Sequence, residues 1–191
     1  MPSHASLIGR QRAGQLAPTD TAKALAAARG CPDAWYRVQA LTSVAEYADP
    51  AAALSILEEA AREAQSCHAY GTVAVMAWPI RVALKQGRLV FAERELKKCL
   101  DLAPRIEPHA SKAYALEILW RACFAEHPSH ANAVWRRILE LCHPDRSWRA
   151  ARLYLHIAEI QHRQNRNAAA VIRAMPPGKA RSWLERRFGL A

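Results

Sequence analysis

The sequence predicts an all-α chain of stacked antiparallel helical hairpins, and three observations carry that expectation. Apolar residues recur at three- and four-residue spacing along most of the chain. Proline, glycine or a capping side chain punctuates that periodicity again and again. Alanine, the strongest helix former, is abundant, whereas alternating Val/Ile/Thr runs are missing. With 191 residues, the chain is long enough for about four or five hairpins around one continuous core.

Each element follows from its own residues. Positions 1–18 mix Ser, Gly, Gln and Arg without a helical period and predict a flexible N-terminal arm. Thr19 or Asp20 caps a short Ala-rich helix from Thr21 to Arg29, which Gly30 closes. The helical-repeat domain occupies 19–175. In its first hairpin, 33–65, Asp33 caps a helix with Trp35, Val38, Leu41, Val44 and Ala45 on one face. Asp49-Pro50 restarts the chain, and Ala53, Ile56, Leu57, Ala60 and Ala64 form the return stripe. The second hairpin, 69–103, carries Val73, Met76, Ile80, Val82 and Leu84, then a turn at Gly87. Pro79 lies inside its first helix, where it removes a backbone bond at a cost of about 3 kcal/mol, so a kink is expected there.

The third hairpin, 111–142, opens at Ser111 with Tyr114, Ile118, Leu119, Ala122 and Cys123 expected inward. His127-Pro128 ends that helix, and Ala131 to Cys142 returns with Val134, Trp135, Ile138 and Leu141. The fourth, 147–175, has Trp148, Ala151, Tyr154, Leu155, Ala158 and Ile160 as its stripe. Pro176-Pro177-Gly178 stops the chain, and the basic segment 176–191 is read as a C-terminal cap or a docking helix.

One stretch carries a family resemblance. From Lys85 to Pro104, Gly87 sits in the turn, Ala92 at the helix crossing, Leu96 and Cys99 one and two turns on, and Pro104 after the second helix. This resembles a degenerate tetratricopeptide repeat (TPR). Pairing Ala53, Ala92, Ala133 and Ala170 as equivalent small residues gives steps of 39, 41 and 37 residues. These exceed the family's period of about 34, and HEAT-like pairs fit them equally. The resemblance implies a short right-handed α-solenoid whose concave groove is lined by the first helices, a scaffold for binding. In that register Trp35, Glu46, Arg81, Lys85, Glu126 and Arg163 are partner-binding groove residues, and the groove is mixed in sign.

The formal charge of +10 suggests nucleic acid until it is divided along the chain. Residues 151–191 contribute +6 and residues 1–32 contribute +3, so the body is nearly neutral. Charge confined to the ends favours local patches over one long basic groove. Arg173, Arg181, Arg186 and Arg187 form the candidate basic patch, with Arg149, Arg152, Arg163 and Arg166 near it and Trp148, Tyr154 and Trp183 among them for base stacking. Five cysteines without CxxC spacing argue against a disulfide framework, and no apolar run reaches membrane length; a reducing cytoplasm is the expected compartment.

Other candidate sites are weighed against plainer readings. Trp35, Trp78, Trp120 and Trp148 fall once per hairpin, as groove anchors or as packing between hairpins. His127 and His130 with Cys123, Cys142 and His143 suggest zinc, but Pro128 separates the histidines and the thiols lie on apolar stripes. No GxSxG, HExxH or phosphate-cradling glycine loop is present. The expectation is a non-catalytic protein-interaction module, an adaptor, chaperone or inhibitor-like partner holding a peptide or helix, with no catalytic residue, metal, cofactor or membrane association. The alternative is an RNA-binding helical-repeat protein using the Arg-rich C-terminal patch.

Overall fold

The computed structural model describes residues 3–164 and 167–190. Arg166 and the connection at 165–166 within the expected fourth hairpin lie outside the described residues. Among the described residues every regular element is helical, with no strand. In order the α-helices are α1 (His4–Leu16), α2 (Thr21–Arg29), α3 (Ala34–Ala45), α4 (Pro50–Ala64), α5 (Ala69–Val75), α6 (Ala77–Lys85), α7 (Leu89–Leu102), α8 (His109–Glu126), α9 (Pro128–Leu141), α10 (Trp148–Arg163), α11 (Ala168–Ala174) and α12 (Lys179–Arg187). Single 3-10 turns follow α7 and α9, at Ala103–Arg105 and Pro144–Arg146. No helix among the described residues is long and apolar enough to cross a membrane.

Side chains that satisfy the first free backbone N–H groups fix most helix starts. Asp20 accepts from the Lys23 N–H, Asp33 from those of Trp35 and Tyr36, Asp49 from those of Ala51 and Ala52, and Ser147 from that of Ala150. His68 does the same through Nδ1, which accepts from the Gly71 N–H at 3.1 Å. The α6–α7 turn closes with two reversed bonds, Arg88 N–H to the Ala83 carbonyl and Gly87 N–H to the Leu84 carbonyl. Gly87 sits at φ 71° between them, a left-handed conformation that glycine adopts without Cβ strain.

Three expectations need correction. The segment read as an arm contains α1, packed on α2 and α3. Its buried residues are Ser6 and Ala13, while Leu7 and Ile8 face out, so it has no large apolar stripe to read. Ala13, Ala17 and Leu16 join it to the core, and polar contacts add to them: Ser6 Oγ accepts from the Asp33 N–H at 3.1 Å, and Arg10 donates to Gln39 Oε1 at 3.0 Å. The kink at Pro79 is a break at Met76, one turn earlier. Proline lacks the N–H that the Val75 carbonyl would receive, so α5 ends there and Pro79 falls in the first turn of α6, where no such bond is required. Pro128 likewise starts α9 directly, moving the buried small residue of that helix to Ala131 and leaving Ala133 half-buried. Ala170, the next member of that alignment, is exposed.

Helices pair within each expected hairpin, α3 with α4, α5 and α6 with α7, α8 with α9, and α10 with α11. The first helices also touch in sequence: α3 meets α5 and α6, these meet α8, and α8 meets α10. Buried alanines recur at the crossings, among them Ala45, Ala60, Ala83, Ala92, Ala113, Ala150 and Ala158, and their small volume lets the backbones approach. The C-terminal helix α12 packs in cis on α11 and the 144–146 turn, burying Leu184. Asp145 Oδ1 accepts from the Ala180 N–H at 3.2 Å, and a Cβ on Gly178 would fall 2.1 Å from Asp145 Oδ2. A larger residue there would displace the Asp145 carboxylate from this cap.

Candidate partner-binding face

The side-by-side first helices present one face, and charged pairs stitch it across hairpins. Lys85 at the end of α6 reaches Glu46 at the end of α3 at 2.6 Å, and that hydrogen bond raises the lysine above its ordinary pKa. Gln86 reinforces the joint by donating to the Ala45 carbonyl at 2.8 Å. Arg81 on α6 donates through Nε to Glu126 on α8 at 2.9 Å. One hairpin further, Glu117 on α8 lies 2.7 Å from both Arg121 Nη2 and His156 Nδ1. Arg152 Nε donates to His156 Nε2 at 3.1 Å, which fixes the imidazole as acceptor there and as Nδ1–H donor to Glu117.

The two signs of the expected groove are unequally exposed in these pairs. Side-chain exposure is 54% for Arg81 against 19% for Glu126, 48% for Arg121 against 9% for Glu117, and 52% for Lys85 against 33% for Glu46. Glu117 and Glu126 are largely covered while their cations stand in solvent, and Glu46 is a third exposed beside the more exposed Lys85. The pairs are balanced in count, yet in each the cation is the more exposed member.

Between α6 and α8 this surface opens into a depression of about 380 Å³. Ala77, Ile118, Ala122 and Ala125 supply its aliphatic lining, together with Trp78, Arg81 and Arg121. Such a constellation offers noncovalent recognition of an anionic group beside an apolar one.

A second feature lies at the opposite ends of the same helices. Trp35 stacks on Tyr70 with centroids 6.2 Å apart, and Tyr70 stacks on Tyr114 at 6.5 Å. The Arg149 guanidinium continues the column, 4.7 Å from the Tyr114 ring and 4.9 Å from that of Trp148. Trp78 meets Trp35 edge-on at 6.2 Å and so connects the column to the depression. Tyr114 and Trp148 therefore leave the core positions expected for them, Trp148 with 64% of its surface exposed, and Ile118 lines the depression. Trp120 is buried and stacks on Phe124.

Of the expected groove residues, Glu46, Lys85, Arg81 and Glu126 come together as two ion pairs. Trp35 belongs to the column, and Arg163 donates within its own helix to the Glu159 carbonyl at 3.4 Å. Glu117, Arg121, His156, Tyr70 and Arg149 were not singled out for this face. One signal was available for the column, since Trp35, Tyr70 and Trp148 each follow an N-cap by one or two residues.

The C-terminal patch is partly neutralised. Arg181 pairs with Glu185 at 2.8 Å, and Arg187 reaches Glu159 on α10 at 3.0 Å while lying 5.4 Å over the Trp183 ring. Arg173 and Arg186 are exposed. His127 and His130 bond to each other at 2.9 Å, and His130 faces Glu93 at 3.2 Å. Among the described residues no group of three or more His, Cys, Asp or Glu side chains is arranged to hold a metal ion. All five cysteines are unpaired, and burial pushes the thiols of Cys123 and Cys142 up to about 12. Comparison of the chain with protein-family models, with curated proteins and with solved structures finds no match.

Proposed function

We propose that this chain is a TPR-like right-handed α-solenoid and serves as a non-catalytic protein-interaction module in the cytoplasm, holding a peptide or helix on the face of its first helices. The observation that supports this reading is the continuous face itself, where exposed cations, an apolar depression and an aromatic column occupy successive hairpins. Stacked hairpins supply such extended surfaces because each pair adds one first helix. Partner recovery with Arg81→Glu/Lys85→Glu tests it. The doubly reversed charge is expected to remove the proteins captured by the parent chain, and an unchanged set overturns the assignment of this face.

RNA binding through the C-terminal patch is the second reading, favoured by Trp183, 45% exposed beneath Arg187, and by exposed Arg173 and Arg186. Neutralising several phosphates makes affinity fall with salt by about 0.7 per contact in log units on single strands. Salt-insensitive or absent retention of RNA refutes it.

A further inference from the structure

We infer that the depression between α6 and α8 docks an acidic peptide segment carrying one large apolar side chain. This inference rests on the interaction-module reading above and names the class of its partner. Two independent features of the depression converge on that ligand.

The first is the orientation of the charge. Arg81 spends Nε on Glu126 and Arg121 directs Nη2 to Glu117, which leaves other N–H donors of each guanidinium for an incoming group. Both carboxylates lie beneath their cations, so an approaching acid meets guanidinium before it meets carboxylate. Lys85 extends the same sign toward α3, and Arg152, bound to His156 Nε2, extends it toward α10. Carboxylates spaced along a peptide would find cations on three consecutive hairpins. The same asymmetry occurs away from this face, where Arg94 and Lys98 cover the buried Glu95. Charge alone therefore does not single out the depression.

The second feature does. Its floor is Ala77, Ala122, Ala125 and Ile118, and the three alanines leave volume that larger side chains would have filled. About 380 Å³ beside the Trp78 ring is room for one leucine- or phenylalanine-sized anchor. A nucleic-acid strand uses the cations but not this floor, since bases stack on flat aromatic faces and the floor is aliphatic. An apolar anchor flanked by acids uses both.

Fluorescence anisotropy with the full chain tests this directly, using labelled peptides of about 12 residues at physiological salt. The probes are a glutamate-rich peptide with one central leucine, the same peptide with serine for leucine, the same with lysine for every glutamate, and an oligouridylate of equal length. The glutamate–leucine peptide is expected to bind, and the serine version about tenfold more weakly. The lysine version should not bind. Ala125→Trp fills the depression from an exposed position and Arg81→Gln removes one flank; each should weaken the glutamate–leucine peptide by about tenfold, with an unchanged circular dichroism melt. Equal binding of the glutamate and lysine peptides, indifference to Ala125→Trp, or displacement of the peptide by oligouridylate overturns the inference. If the lysine peptide binds and Ala125→Trp abolishes it, the face still holds peptides and only the acidic assignment fails. If no peptide binds, and Arg81→Glu/Lys85→Glu leaves partner recovery unchanged, the interaction-module reading fails as well.

Discussion

Replacing Glu117 with glutamine removes the charge from the joint between α8 and α10 while keeping its shape. The carboxylate is nearly buried and accepts from two sides, Arg121 and His156, each at 2.7 Å. A hydrogen bond to an ionised group contributes about 1.5–3 kcal/mol when the site is shielded. The His156 contact qualifies, with the imidazole itself largely covered and held from behind by Arg152. Arg121 is half in water, so its share is discounted to under about 1 kcal/mol. An uncharged amide keeps part of each bond, and the net loss is about 2 kcal/mol. For a chain of this size that lowers the melting temperature by about 4–8 °C. Urea titration of Glu117→Gln, His156→Gln and the double variant separates the contributions. The coupling should exceed about 1 kcal/mol, whereas the corresponding cycle with Arg121→Gln should stay below that. A Glu117→Gln variant within about 0.5 kcal/mol of the parent, or no coupling to His156, refutes the view that this joint depends on a sunken carboxylate.

Two further outcomes follow from buried titratable groups. His109 is held below its ordinary value of 6.5 by loss of solvent, then by Arg146 and Lys112, with the Leu141 backbone and then Glu107 opposing, and the Ser147 hydroxyl lies 3.3 Å away. A histidine with a lowered folded pKa is bound more tightly by protons in the unfolded chain, so its contribution is complete above about pH 6.5 and is lost as pH falls through the folded value. Melts from about pH 7.5 to 5 should show that decline, and His109→Gln should flatten it; an identical slope in the variant refutes the assignment. Burial pushes Cys99, Cys123 and Cys142 up to about 12, and Cys31 is also buried. At about pH 8 an aromatic disulfide reagent should find half-buried Cys67 first and the remaining thiols only on unfolding; rapid titration of three or more would contradict the packing.

Much of the helix pattern was legible in the residues. Asp20, Asp33, Asp49 and Ser147 cap the helices that they introduce, because short oxygen side chains bond free N–H groups locally and need no tertiary context. Gly87 closes the turn as read, since its φ of 71° is a backbone demand that sequence displays. The helix α1 was illegible because serine, alanine and arginine hold it by tertiary contacts, Ser6 to Asp33 and Arg10 to Gln39, rather than by a stripe. Tyr114 and Trp148 were misplaced for a related reason. A helical period marks which positions share a side, but not whether that side meets the next hairpin or water.

The face shows the same limit for charge. Counting residues gives a nearly neutral body with basic ends, and Arg81, Lys85 and Arg121 each have a carboxylate to cancel them. Cancellation by count assumes that both members are equally visible from outside. Glutamate is shorter than arginine or lysine, so when the two pair across a helix joint the carboxylate stays in the crevice and the long cation reaches past it. The cations are then more exposed than the carboxylates on a region whose sum is close to zero. Where alanines also line the space between two such cations, as between Arg81 and Arg121, exposed positive charge stands beside apolar surface without adding net charge to that part of the chain.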